Sequence, residues 1–268
     1  MPPMDETMGT TLRGKTAIVS GVGAGLGIEI VSRLAWAGAN LVLGDIDPSG
    51  LSQAESLLKA LNAPHAGRQT DIRDRGACEA LVGLAVRTFG TVDILINDAF
   101  RAEAPGSFED ADMEAWRAVA DVNLWGTLGM IKAALPALKA SQAGAIVNIN
   151  THGSEALDPD FGGYTASKAA LAHLTRHLAR EFGPYGIRVN GVHPGPMDAE
   201  PRRNFLATQA ASLGVTAESL DAPAIAQTSL GHLASALDVA QAVTFLASPL
   251  ARSITGQALF VDGGAWLH

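Results

Sequence analysis

Short apolar, β-branched runs alternate along most of this chain with longer stretches whose apolar residues recur every three or four positions, and this alternation limits the possible folds more than any other feature. The runs that read as strands are KTAIVSG (15–21), NLVLGD (40–45), HAGRQT (65–70), VDILIN (92–97), GAIVNIN (144–150), IRVNGVHP (187–194) and ALFVDGG (258–264). Between them lie amphipathic stretches such as LGIEIVSRLAWAG and SQAESLLKALNA. Strands that are nearly all apolar need cover on both faces, and crossover helices supply it. The expected fold is therefore α/β, a single-domain doubly wound parallel sheet with helices on both faces. At 268 residues and 47% hydrophobic, the chain has enough apolar surface for one such core.

The rhythm fails between Gly195 and about Ala236, where prolines and short helical pieces intervene. A segment that long in a compact domain is usually functional, so residues 195–236 read as a lid over a pocket, with Phe205 among its apolar residues. Residues 1–12 read as a flexible leader and 13–268 as the domain. The start of the chain lacks a basic, then apolar, export signal, and no apolar run reaches the ~18 residues of a membrane span, so a cytoplasmic protein is expected. A net charge of −8 with no Lys/Arg block argues against nucleic acid or an anionic membrane as partner and favours a small molecule. Cys78 is the only cysteine and reads as a buried structural thiol.

SGVGAGLGIEI follows the first strand and opens the first helix, with Gly21, Gly25 and Gly27 spaced G-x-x-x-G-x-G. Small residues at a strand-to-helix turn let the backbone approach a pyrophosphate, whose charge the helix N-terminus stabilises. Asp45 ends the second strand near the offset at which an acid binds the adenosine ribose hydroxyls. Its charge would repel a 2′-phosphate, and the glycine loop carries no Lys or Arg to neutralise one. NAD is expected rather than NADP. Tyr164 and Lys168 lie i and i+4 in a helical stretch, where an ammonium beside a phenol favours the phenolate and makes a general base for an alcohol.

Taken together, residues 12–264 resemble the short-chain dehydrogenase/reductase family, whose domain is Rossmann-like. The family's T-G-x-x-x-G-x-G is matched by Ser20 to Gly27, its helix asparagine by Asn123 in DVNLWGT, its Y-x-x-x-K by Tyr164 and Lys168, and its late segments by RVNGVHPG and ITGQALFVDGG. The resemblance implies hydride transfer between a nicotinamide and a secondary alcohol or ketone of largely apolar character. It implies that Tyr164 exchanges the hydroxyl proton, that Lys168 lowers its pKa and holds the nicotinamide ribose, and that Asn123 supports a proton-relaying water. The family serine, thirteen residues before the tyrosine, falls on Thr151, which keeps a hydroxyl donor. Ser154 is the neighbouring alternative. Around the cofactor the resemblance assigns Leu26 beside the glycines, Asp45, Asp71 and Ile72 at the adenosine end, Asn97 after the fourth strand, and Pro194, Gly195 and Met197 near the nicotinamide.

The family's N-N-A-G reads NDAF here, so Phe100 replaces a glycine near the pocket, and Ala199 stands at the common threonine after HPG. Phe100, Phe205 and His152 are candidate substrate contacts. No metal site is expected: His173 and His177 are i, i+4 but lack the intervening Glu of a helical zinc motif. The resemblance implies a homo-oligomer, most simply a tetramer, for which Leu171, Leu174 and Leu178 would give an apolar outer face. The other functions weighed are an acyl-thioester ketoreductase, which Asp45 disfavours, and a catalytically impaired NAD-binding scaffold.

Overall fold

The computed structural model describes residues 11–156 and 160–267. Its elements run, in chain order, β1 (Thr16–Ser20), α1 (Leu26–Trp36), β2 (Asn40–Asp45), α2 (Pro48–Ala60), β3 (His65–Gln69), α3 (Arg75–Phe89), β4 (Ile94–Asn97) and α4 (Met113–Ala120). A π-helical segment, Asp121–Gly126, joins α4 to α5 (Thr127–Ser141). There follow β5 (Ala145–Ile149), α6 (Gly162–Phe182), β6 (Arg188–Pro194), β7 (Met197–Asp198), α7 (Glu200–Leu213), α8 (Ala217–Ala226), β8 (Ala234–Ser235), α9 (Ala236–Ala247) and β9 (Ala258–Val261). The seven strands expected from the sequence form one parallel sheet in the order β3-β2-β1-β4-β5-β6-β9, while β7 pairs with β8 at the two ends of the lid.

Period-two alternation sends neighbouring residues of each strand to opposite layers. Ala17, Val19, Leu41, Leu43, Ile94 and Ile96 pack with Ile30, Leu34 and Val243, so α1, α2 and α9 cover one face. Ile18, Val42, Leu95 and Ile146 pack with Leu81, Met130, Leu138 and Phe182, so α3, α5 and α6 cover the other. Each fully buried Val, Leu or Ile contributes about 1.5–3 kcal/mol of transfer free energy, and Val, Leu and Ile make up most of both layers. β3 is the exception. Its sequence, HAGRQ, is half-exposed because it forms the sheet edge, where only one side is paired.

Side chains cap most of the helices that start away from the cleft. Asp47 accepts from Ser49 N–H before α2, Asp74 from Ala77 N–H before α3, Asp112 from Glu114 N–H before α4, and Ser235 and Asp238 form a capping box on α9. The start of α1 has no such cap: Gly25 stands there at φ 95°, leaving the first-turn N–H groups free of a side-chain acceptor.

Two expectations need correction. Leu12, assigned to the flexible leader, is fully buried in the core and donates its N–H to the Ala37 carbonyl, so the domain begins before residue 13. Residues 1–10 lie outside the described part. Leu171 is also buried within the chain and Leu174 and Leu178 are half-buried, because the second layer extends further under α6 than helical periodicity indicates. Among the described residues no helix is long and apolar enough to cross a membrane.

Candidate active site

Strand order reverses between β1 and β4, and in open α/β sheets the crevice at the carboxyl ends of such strands is where ligands bind. A cleft of about 720 Å³ lies there. Gly21, Gly25, Leu26 and Gly27 line one side, with Asp45, Asp71 and Ile72 behind them. Gly21, at φ 86°, backs directly onto the Asp98–Ala99 peptide, and a Cβ on Gly27 would lie 2.7 Å from the Gly21 carbonyl oxygen. No larger residue fits either position without moving backbone. The Asp45 carboxylate accepts from Val22 N–H at 2.7 Å and Asp47 N–H at 2.9 Å, which fixes it under the loop. Asp71 is gripped by Arg73, whose hydrogen bonds hold its carboxyl below the usual range.

The other half of the cleft carries Asp98, Phe100, Ile149, Thr151, Tyr164, Lys168, Pro194, Gly195 and Met197. The Thr151 hydroxyl lines the cleft beside the Tyr164 phenol, whose ionisation it favours, and accepts from Gly153 N–H at 3.2 Å. Ser154 is committed elsewhere, donating to the Thr151 carbonyl and lying 3.1 Å from His193 Nδ1. Lys168 Nζ donates to the Ile149 carbonyl at 2.7 Å and lies 5.8 Å from the centre of the Tyr164 ring. Phe100 meets the same ring edge-on, 6.3 Å between centroids, and is 64% exposed at the cleft.

The electrostatics differ from the sequence expectation. Burial, then the Asp98 carboxylate, raise the Tyr164 phenol above its ordinary value; Thr151 opposes them by hydrogen bonding, and Glu103 adds to the rise. An effect of Lys168 alone would lower it. Burial pulls the Lys168 ammonium down to about 8, with Asp98 acting to hold it up. Asp98 itself is pushed up to about 7 by burial, which Lys168 opposes and Asp45 reinforces.

Four expected site residues do not line the cleft. Asn97 is buried in the sheet, where its amide donates to Asn148 Oδ1 at 2.8 Å, so its side chain serves the β4–β5 pairing. Asn123 is buried in the π-helical segment, with Oδ1 accepting from Arg101 N–H at 2.8 Å and Nδ2 donating to the Arg101 carbonyl at 2.9 Å and to Ser167 Oγ at 3.0 Å. That side chain clamps the loop carrying Phe100 and Arg101. His152 sits behind Gly195, 3.9 Å from Asp262 Oδ2, because the short 3-10 turn after Thr151 carries it away from the opening. Phe205 is 57% exposed on α7, outside the cleft lining.

The sequence reading missed Asp98, Arg101 and Glu103. Asp98 is legible as the departure at the second position of NDAF. Arg101 lines the cleft mouth and forms no ion pair among the described residues, whereas Arg73 pairs with Asp71 and Arg202 with Asp221. Glu103 accepts from Tyr164 N–H at 3.0 Å and so fixes the first turn of α6. Neither residue belongs to a recognisable motif. The cleft suits a dinucleotide: glycine backbone and an uncapped helix start for a pyrophosphate, and a fixed carboxylate for ribose hydroxyls. Among the described residues no cluster of His, Cys, Asp or Glu could hold a metal ion.

A family model described as Enoyl-(Acyl carrier protein) reductase matches residues 21–265. The chain is 34% identical over 261 residues to trans-4-hydroxycyclohexanecarboxylate dehydrogenase of Sinomonas cyclohexanicum, covering 93% of this chain and 92% of that protein. It is 32% identical over 253 residues to 7alpha-hydroxysteroid dehydrogenase of Escherichia coli (strain K12), covering 94% of each. The solved structure of carveol dehydrogenase from Mycobacterium avium in complex with NAD matches with a TM-score of 0.89 at 28% identity, covering 96% of this chain and 99% of that one.

Proposed function

The chain belongs to the short-chain dehydrogenase/reductase family, and on that premise we propose that it is an NAD-dependent dehydrogenase interconverting a secondary alcohol of largely apolar frame and its ketone. The observation that carries this reading is that Thr151, Tyr164 and Lys168 line one cleft, with Lys168 one helical turn beyond Tyr164 and 5.8 Å from its ring centre. Bound NAD supplies the acceptor, or when reduced the donor, of a hydride.

The chain's own residues divide the remaining work. Gly21, Gly25, Leu26 and Gly27 admit the pyrophosphate, and Asp45 takes ribose hydroxyls while opposing a 2′-phosphate. Thr151 orients the substrate oxygen by hydrogen bonding, and Tyr164 accepts the alcohol's proton in oxidation or returns one in reduction. Lys168 supplies positive charge that favours the phenolate. Asn123 acts from behind, holding the Phe100–Arg101 loop in place. The 195–236 segment closes over the substrate: Pro196, Met197, Ala199 and Arg202 face the cleft from it.

The relatives named above act on hydroxyl groups borne by rings. Phe100, Pro196 and Met197 offer an apolar wall for such a ring, and Arg101 at the mouth would suit a carboxylate on its far side. A homotetramer is proposed as well, supported by Met113 and Trp125, exposed on the α4–α5 helix; sedimentation as a monomer at micromolar concentration would refute it. The test of function is NAD reduction across 4-hydroxycyclohexanecarboxylate, hydroxysteroids, carveol and cyclohexanol. Tight NAD binding with no turnover of any secondary alcohol would replace this reading with that of a non-catalytic nucleotide-binding protein.

A further inference from the structure

Lys168 is a buried cation, 2% exposed, whose ammonium donates to one neutral acceptor, the Ile149 carbonyl. Among the described residues no carboxylate pairs with it directly. A charge in that setting loses its proton unless another charge supports it. Asp98 is placed to do so. It follows β4 at the reversal point of the sheet, its N–H donates to the Ser20 carbonyl at 2.9 Å, and Gly21 abuts its backbone. It is 8% exposed, and it lines the cleft that Tyr164 and Lys168 also line. The family's N-N-A-G has a neutral amide of the same shape at this position, so a carboxylate there is not needed to build the turn.

We propose that Asp98 is a positioning residue of the redox site: its carboxylate is the counter-charge that keeps the buried Lys168 ammonium protonated and so sets the pH window in which Tyr164 exchanges its proton. This rests on the dehydrogenase reading for its catalytic consequence, though not for the effect on Lys168. The charged and titratable groups facing the pair are Tyr164 on α6, Asp45 at the end of β2, and Glu103 in the loop after β4. Of these, Asp45 acts on Asp98 and Glu103 on Tyr164, and neither acts on Lys168, on which Asp98 is, among the described residues, the one charge that bears.

The direction follows from charge alone. With Asp98 ionising at about 7 and Lys168 losing its proton at about 8, the carboxylate is charged while the lysine titrates. Removing it lowers the proton affinity of both Tyr164 and Lys168, which titrate as a coupled pair. Both limbs of the pH profile for alcohol oxidation then move toward acid. Below about 7 the wild-type carboxylate is itself protonated and the two proteins converge.

The experiment titrates Lys168 in the free protein by NMR of 13Cε-labelled lysine, its signal assigned with Lys168→Arg, in the wild type, Asp98→Asn and Asp98→Glu. The expected result is a fall of about one unit or more in the Lys168 midpoint for Asp98→Asn, the usual size for loss of one nearby charge, with recovery of at least half in Asp98→Glu. An unmoved midpoint in Asp98→Asn overturns the proposal. With an alcohol that is turned over, the optimum of kcat/KM should move to lower pH by a similar amount; a lower rate at an unmoved optimum also overturns it. Absence of turnover on every alcohol would defeat the dehydrogenase reading, while the lysine titration would still decide the role of Asp98.

Discussion

Thr151→Val exchanges a hydroxyl for a methyl at nearly constant volume, so its consequences can be worked out bond by bond. Two things are lost: the hydroxyl presented to the cleft beside the Tyr164 phenol, and the bond accepted from Gly153 N–H at 3.2 Å. The second is a local capping bond in a half-buried turn and costs about 1 kcal/mol of stability, or roughly 2–4 °C in Tm for a domain of this size. The fold therefore survives. The first loss takes away the donor that Thr151 presents to the cleft, which Ser154, donating to the Thr151 carbonyl, does not replace. Loss of one preorganised donor typically costs about 10²–10³ in turnover, some 2.7–4 kcal/mol. Thr151→Ser keeps the hydroxyl and should stay within about tenfold of wild type. The assay is NAD reduction with one active alcohol, run beside a binding measurement confirming that each variant still takes up NAD. Wild-type turnover by Thr151→Val, or a silent Thr151→Val beside a crippled Ser154→Ala, would refute the assignment.

Asp45→Ala should narrow an NAD preference that is at least about tenfold in kcat/KM, or about 1.4 kcal/mol, because the carboxylate fixed to Val22 N–H no longer opposes a 2′-phosphate; an unchanged ratio would assign cofactor choice to another residue. Arg101→Met should raise KM for 4-hydroxycyclohexanecarboxylate about 10- to 100-fold, as loss of one charge-assisted hydrogen bond does, and leave cyclohexanol unaffected. Equal effects on the two alcohols would show that the variant disturbs only the loop held by Asn123. Ala199→Thr should add about 1 kcal/mol, read as a higher urea midpoint, because Ala199 is the N-cap of α7 and provides no side-chain acceptor. An unmoved midpoint would mean that the lid unfolds independently of the sheet.

The architecture was legible because the strands are buried on both faces, leaving only a few ways to cover them. Boundaries of β2 were read to the residue, and β3 was found despite its polar sequence because turn residues bracket it. The lid was recognisable only as an interruption. Its helix α7 borders the open cleft through Pro201 and Arg202, and α8 packs on α7, so Phe205, Leu213 and Val215 remain exposed and no clean apolar stripe marks the pair. The π-helical turn at Asn123 left no trace in the sequence, since one extra residue in a turn does not disturb the residue order by which Asn123 was found. His152 and Phe205 were misplaced for a related reason: nearness in sequence to Thr151 or to a lid does not fix which way a short turn or helix points.

Reading NDAF as a single substitution of a glycine by phenylalanine hid the more consequential change two residues earlier. Phe100 packs an apolar ring against Tyr164, and Asp98 adds a negative charge to the same site. Burial and the Asp98 charge make it harder for the phenol to ionise, while Thr151 and the Lys168 ammonium work in the opposite sense. The resting protein thus holds Tyr164 as a neutral phenol, the form that donates a proton to a carbonyl. Oxidation of an alcohol requires the phenolate, and the Lys168 ammonium is the protein's own cation available to stabilise it. If Asp98 keeps that ammonium charged, the same carboxylate that opposes ionisation of Tyr164 directly also preserves the cation that permits it. The balance between these two effects, and not the presence of the Tyr–Lys pair alone, fixes the pH at which the site can run in either direction.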